Sequence, residues 1–327
     1  GSIILLSEVL SVQAVDQTED LPLISVIMST YNETKEELEQ SISSILEQSY
    51  PNVEFLICQD DPEQTVLSQV LAACHDSRVR LLKNEQNRGL VASLNRLLQE
   101  AKGSLIARMD ADDVAERDRL EKQYRYLKQN RLDMTGCAIA TGRKPGEEAV
   151  ILTFPETEKQ IRSCVRYGNC MAHPTWLVKK EVYETLSGYR NMPFCEDYDF
   201  LLRVLSGGSF AVGNCPEVGL FYRVREQGIS KHNMVTQYLF SRFLAKNRRQ
   251  ITAITEQTLK TYAASVSYQK EQSKYEAFLE TKQRVRKEKK VRNIIQLLFQ
   301  KYTYLFLAER LNRYHQKWWQ RNRRGQK

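Results

Sequence analysis

Three times in its first hundred residues the chain runs from a short apolar stretch into a polar cluster and then into a segment of helical period. Leu23 to Met28 ends in Ser29-Thr30-Tyr31-Asn32, and Leu38, Ile42, Ile45 and Leu46 then recur at helical spacing behind Asn32 or Thr34 as cap. Tyr50-Pro51-Asn52 stops that helix, and Val53 to Cys58 is the second apolar run. Asp60-Asp61-Pro62 predicts a cap with proline in the first turn, opening a helix whose inner face is Val66, Leu67, Val70 and Leu71. Val79 to Leu82 is a third strand, followed by a helix marked by Leu90, Leu94, Leu97 and Leu98 and closed before Gly103. Ser104 to Met109 is a fourth strand that ends in Asp110-Ala111-Asp112-Asp113. Successive strand–helix units predict an α/β, Rossmann-like, mostly parallel sheet flanked by helices. A ligand then belongs beyond the carboxyl ends of the strands, where the polar clusters fall.

With 42% hydrophobic and 27% charged residues in 327, the chain can fill a core. No run approaches the ~20 apolar residues of a membrane-spanning helix. Residues 1–20 read as an N-terminal extension; the apolar patch from Ile3 to Leu6 has no basic residues before it and is not read as a signal peptide. Past residue 150, Gly and Pro punctuate an α+β region, and after Gly228 neither recurs until Gly325, which predicts a mainly helical C-terminal region over 236–327. Charge divides there too: residues 241–327 hold 22 Lys/Arg against 6 Asp/Glu, and residues 1–240 hold 26 against 34. A basic back on an acidic front suits contact with an anionic surface. The seven cysteines are irregularly spaced without a CxxC pair, which argues for buried thiols in a reducing cytoplasmic setting rather than disulfides or zinc.

Three carboxylates in four residues at a strand end repel one another unless a cation, hydrogen bonds or water offset them. A hard cation such as Mn²⁺ or Mg²⁺ uses one or two carboxylates together with substrate phosphates. Alternation along an extended segment puts Asp110 and Asp112 on one side and Asp113 on the other. Tyr31 is either a stacking face for a nucleotide base or a packed loop aromatic. Asp61 either accepts from a base or ribose, or only caps a helix. Neither GxGxxG nor GxxxxGK[ST] occurs, which disfavours dinucleotide dehydrogenases and P-loop NTPases. Glu196, Asp197 and Asp199 precede an apolar run, as either a charged helix start or a general base aimed into a cleft; Glu196 and Asp197 point in different directions on a helical turn.

The ordered set Ile24 to Asn32, Asp60-Asp61, Asn87-Arg88-Gly89 with Asn95, Asp110-Ala111-Asp112-Asp113, His173-Pro174, Cys195 to Asp199 and Gly228-Ile229-Ser230 resembles the signature of family 2 glycosyltransferases. It covers residues 22 to 233 and is most similar to bacterial transferases of capsular or surface polysaccharide assembly. The resemblance implies a GT-A fold over residues 21–235, a nucleotide-sugar donor (UDP by family habit), a divalent cation, Mn²⁺ or Mg²⁺, and inversion at the anomeric carbon. It places Thr30, Tyr31, Asn32, Asp61 and Arg88 at the donor nucleotide, Asp110 and Asp112 at ribose and metal–diphosphate, and Asp197 at the catalytic base. His173 and Glu196 fall on the acceptor side, and His232 lies within reach of the metal. Arg223 and Arg225 either meet the diphosphate or sit on a solvated surface. Asp60-Asp61-Pro62-Glu63 stands where the family commonly has Asp-Asp-Gly-Ser, and the Gln-x-x-Arg-Trp motif of processive synthases is absent, which favours adding one sugar over polymerising.

The acceptor implied is a glycan or lipid-linked saccharide. Val291, Ile294, Ile295, Leu298, Tyr302, Leu305 and Phe306 recur at helical spacing behind a run, Lys282 to Lys290, with six basic residues and one acid. That pattern reads as an amphipathic anchor on the inner face of the cell membrane, or as a helical subdomain docked on the core or on the twin subunit of a homodimer. Nucleic-acid binding would account for the tail but not for strand-end acids, which repel phosphate, so nucleic acid is not an expected partner. A catalytically silent scaffold of the same fold is the other alternative.

Overall fold

A computed structural model describes residues 21–225, 233–288, 290–298 and 300–308. Nine strands make one sheet in the order β3-β2-β1-β4-β8-β6-β9-β5, with β7 paired to β6. Strands β1 (Ile24–Thr30), β2 (Val53–Gln59), β3 (Val79–Lys83) and β4 (Leu105–Asp110) run parallel. β8 (Leu177–Lys179) is antiparallel to both β4 and β6 (Met134–Gly142). β9 (Val212–Arg223) lies parallel to β6, and the short β5 (Val114–Ala115) pairs antiparallel to it. β7 (Val150–Leu152) is an exposed hairpin arm on β6.

The expected βα units are all present. Helix α1 (Lys35–Leu46) opens on a reciprocal capping box between Thr34 and Glu37, so Thr34 is its cap and Asn32 is left in the loop. Helix α3 (Leu90–Glu100) starts after Gly89, whose φ of +80° lies in a region that side chains with a Cβ rarely adopt. Helix α2 departs from expectation: it runs Val66–Cys74 from Thr65, not from Pro62. The Gln59 amide explains this by donating to the carbonyls of Asp61 and Gln64, both at 2.7 Å, while the Asp61 carboxylate takes the Glu63 N–H at 3.0 Å. Those bonds hold residues 61–64 as a turn.

Alternation divides the β1 side chains between the two faces of the sheet. Ile24, Val26 and Met28 join the α1-side core with Phe55, Ile57 and Leu120, while Ile27 joins Leu56, Leu94, Trp176 and Phe200 on the other. The helices beyond residue 233 belong to that second core: Leu239, Phe240 and Leu244 of helix Met234–Asn247, and Tyr275 and Phe278 of helix Val266–Glu288, are part of one buried cluster with Trp176. Tyr238 stacks on Tyr275 with ring centroids 4.0 Å apart, and Tyr302 closes edge-on at 5.0 Å from Tyr275. Among the described residues no helix is long and apolar enough to cross a membrane.

Candidate active site

The registers Thr30↔Gln59 and Ser29↔Asp110 bring the carboxyl ends of β1, β2 and β4 to one edge of the sheet. At the β2 end Asp60 is buried and works as a brace. It accepts from the Asn84 amide (2.7 Å) and the backbone N–H groups of Arg88 and Gly89 (both 2.8 Å), which fixes the 84–89 loop. The Arg88 side chain is exposed beyond it. Thr30 is buried and its hydroxyl has no protein partner, whereas Tyr31 is 44% exposed with its N–H tied to Glu33 (2.8 Å). An unmated hydroxyl beside an open aromatic ring is a competent nucleoside surface. Asp61 and Asn32 lie on the same rim.

The carboxylate cluster differs from the sequence reading. Oxygen atoms of Asp110, Asp112 and Asp113 all lie within 4.8 Å of one another, so Asp113 does not point away. The Asp113 N–H reaches back to the Asp110 carbonyl at 3.4 Å, and this turn cancels the alternation of an extended chain. Asp113 accepts the Arg223 N–H at 2.9 Å with one oxygen; its other oxygen is buried with no partner. Burial first, and the Asp110 charge second, raise both carboxyls: Asp112 is pushed up to about 6 and Asp113 well above its ordinary range. Three hard oxygen donors with an orphaned buried oxygen fit a divalent cation of the Mn²⁺ or Mg²⁺ type.

Arg108 was not anticipated, although an arginine inside the apolar β4 run is a signal. It is buried, its Nη2 lies 2.5 Å from Asp110 Oδ1, and its Nε and Nη1 find no protein partner. Its charge also acts on His173, Glu196 and Asp197, which ties the β4 end to the start of helix Glu196–Ser206. Phe194, just before that helix, adopts a left-handed φ of 63°, a strain of order 1–3 kcal/mol.

Asp197 is held on both oxygens, by the Asn169 amide at 2.7 Å and by the Tyr198 N–H at 2.6 Å. Burial raises its carboxyl above the ordinary range against those hydrogen bonds. Burial and then the Asp197 charge push Glu196 up to about 7. Asp199 faces the other way. It is fully buried between Arg190 and Arg203, whose Nε is 2.9 Å away, and is therefore a structural ion pair rather than a reserve base. Asp199→Asn should destabilise the protein by about 3–5 kcal/mol, because the buried Arg203 and the half-buried Arg190 lose their counter-charge. Denaturant unfolding measures this; an unchanged midpoint would contradict the role.

His173 is buried, with Nε2 2.9 Å from the Tyr189 hydroxyl and its ring edge-on to Trp176. Burial, aided by the Arg108 charge, holds the imidazole well below its usual range, so it is neutral. Asn95 clamps the Tyr189 backbone from α3 at 2.8 and 2.9 Å. Arg223 is buried against the acidic turn, with its Nε 2.8 Å from the Asp112 carbonyl, and Arg225 Nε lies 2.9 Å from Asp112 Oδ2. Neither arginine is a solvated surface charge. His232 and the Gly228-Ile229-Ser230 motif lie outside the described residues. A hollow of about 720 Å³ at the opposite end of the sheet, lined by Pro22, Ser104, Leu105, Tyr124, Lys179 and Lys180, holds none of these groups.

Residues 25–204 match the family described as Glycosyl transferase family 2. The O-antigen biosynthesis glycosyltransferase WbnJ of Escherichia coli is 35% identical over 233 residues, which are 69% of this chain and 91% of that protein. The UDP-Glc:alpha-D-GlcNAc-diphosphoundecaprenol beta-1,3-glucosyltransferase WfgD of Escherichia coli is 30% identical over 212 residues, 64% of this chain and 80% of that one. Among solved structures, the mannosyltransferase PcManGT from Pyrobaculum calidifontis, in complex with GDP-Man and Mn²⁺, superposes with a TM-score of 0.55 at 16% identity, covering 89% of this chain and 87% of that one. The fold is GT-A.

Proposed function

Since the chain belongs to glycosyl transferase family 2 and is a glycosyltransferase, we propose that it transfers one sugar, with inversion, from a UDP-sugar to a hydroxyl of a glycan or lipid-linked acceptor in surface polysaccharide synthesis. The observation that carries this reading is that two acidic groups lie within the field of Arg108: the Asp110–Asp112–Asp113 turn at the sheet edge, and Glu196–Asp197 at the start of helix Glu196–Ser206. Tyr31 offers its exposed face to the base, Thr30, Asn32, Asp61 and Arg88 border the nucleoside, and Asp110 and Asp112 hold the cation. When bound, that cation would neutralise charge gathering on the departing diphosphate. Asp197 accepts the proton of the acceptor hydroxyl as its oxygen attacks the anomeric carbon from the side opposite the leaving group. Glu196 lies beside it toward the acceptor, and neutral His173 holds the Tyr189 hydroxyl. WfgD is named for a UDP-sugar donor and a lipid diphosphate-linked acceptor, and PcManGT was solved with Mn²⁺; both favour this assignment. Screening nucleotide sugars for Mn²⁺-dependent release of nucleoside diphosphate tests it. Turnover of one UDP-sugar is expected; inertness with every donor, with no thermal stabilisation by any, would favour a silent scaffold.

A second part of the proposal concerns the C-terminal helices. Tyr302, Leu297, Leu305 and Phe306 turn inward onto the core, but Ile294, Ile295 and Leu298 of helix Val291–Leu298 are 41–50% exposed. Arg284, Arg286, Lys287, Lys290 and Arg292 lie close by in sequence. An apolar stripe among cations suits the inner, anionic face of the cell membrane. The full chain should float with vesicles rich in phosphatidylglycerol and not with phosphatidylcholine vesicles. Ile294→Ser with Ile295→Ser should reduce flotation several-fold; failure to float with anionic lipid would leave the stripe to a second subunit.

A further inference from the structure

Two arginines leave the end of β9 toward the acidic turn, and they are held in different ways. Arg223 is built in: its N–H donates to Asp113 (2.9 Å), its Nε to the Asp112 carbonyl (2.8 Å) and its Nη2 to Gln40 (2.7 Å). Among the described residues, Arg225 is held at two carboxylates. Its Nη2 donates to Glu37 Oε2 at 2.7 Å. Its Nε is 2.9 Å from Asp112 Oδ2, yet the geometry is too bent for a hydrogen bond and the buried Nε–H remains unmated. A buried donor without a formed bond forgoes that bond's stabilisation, so Arg225 is less firmly held at Asp112 than Arg223 is at its partners.

Charge makes the same point. Glu33, Glu37, Asp110, Asp112 and Asp113 are five acids gathered with four arginines, 108, 119, 223 and 225. Arg225 is one of the counter-charges to a crowded acidic field. A divalent cation reaching Asp112 would compete with Arg225 directly, and a guanidinium displaced there would be free to pair with an anionic group arriving with that cation.

Resting on the metal-dependent reading above, we propose that Arg225 is an exchangeable counter-ion: it guards Asp112 in the empty enzyme and passes to the diphosphate when cation and nucleotide enter together. The guarding makes cation alone bind weakly. The transfer makes cation and nucleotide each tighten the other, to the same extent by linkage.

Calorimetry on the full chain with MnCl₂ alone, UDP alone and both together tests this. Wild type should show strong mutual tightening. Arg225→Met keeps the aliphatic stem without the charge; it should bind Mn²⁺ alone about tenfold tighter, bind UDP alone more weakly, and lose most of the mutual tightening. A circular dichroism melt checks that the variant is folded. Equal Mn²⁺ affinity in both proteins with undiminished mutual tightening would overturn the exchange and leave the cation site standing. Absence of Mn²⁺ binding from both proteins, with or without UDP, would overturn the cation reading and the exchange with it.

Discussion

Asp197→Asn should lower sugar transfer at least about a thousandfold while donor binding changes less than about threefold. In the proposed mechanism the carboxylate is the proton acceptor, and an amide of the same shape cannot take the proton. Its two oxygens now receive the Asn169 amide and the Tyr198 N–H. Asparagine offers one oxygen, so one of those donors loses its acceptor, at about 1–3 kcal/mol of stability. Retained thermal stabilisation by UDP with Mn²⁺ separates lost chemistry from lost fold. The wild-type pH profile adds a second check. Burial raises the Asp197 carboxyl, and Glu196 beside it is pushed up to about 7. A base works ionised, so activity should be complete once the Asp197 carboxyl is ionised and decline as pH falls through its raised range. The acid limb should therefore lie above that of an ordinary carboxylate. Full activity of the asparagine variant, or a rate unchanged down to about pH 4.5, would move the base elsewhere.

Loss of the cation should be as severe. EDTA should stop turnover and Mn²⁺ or Mg²⁺ restore it, and Asp112→Asn should cut the rate by about a hundredfold or more even at saturating Mn²⁺. Asp112 already stands in a crowded negative field, with burial and Asp110 pushing it up to about 6. Removing its charge would take away a ligand of the proposed cation and also relieve repulsion, so the asparagine variant should be no less stable than wild type. A thermal melt alongside the rate distinguishes the two effects. Undiminished transfer in metal-free buffer would end the cation's role.

Much of this was legible without coordinates. Leu23 to Met28, Val53 to Cys58 and Ser104 to Met109 are apolar runs closed by polar clusters, and β1, β2 and β4 fall on them. Pro62 predicts a helix start, but the Gln59 amide, reaching two and five residues ahead to the Asp61 and Gln64 carbonyls, holds 61–64 as a turn, and no residue motif marks that side-chain bonding. Asp113 was sent to the wrong face because strand alternation does not extend through a turn closed by its own backbone bond to Asp110. Asp199, three residues into the helix, looked interchangeable with Asp197. Arg190, nine residues upstream, and Arg203, one turn on, give it a separate, structural task.

The sequence by itself determined the βα order, the acids at the strand ends and the family, since periodicity and local motifs are written in neighbouring residues. Only the tertiary structure decided which acids share a field. Arg108, Arg223 and Arg225 come from β4 and the end of β9, more than a hundred residues apart, and meet Asp110, Asp112 and Asp113 at one sheet edge. Electrostatic coupling depends on distance through space and on burial, and neither is encoded in spacing along the chain.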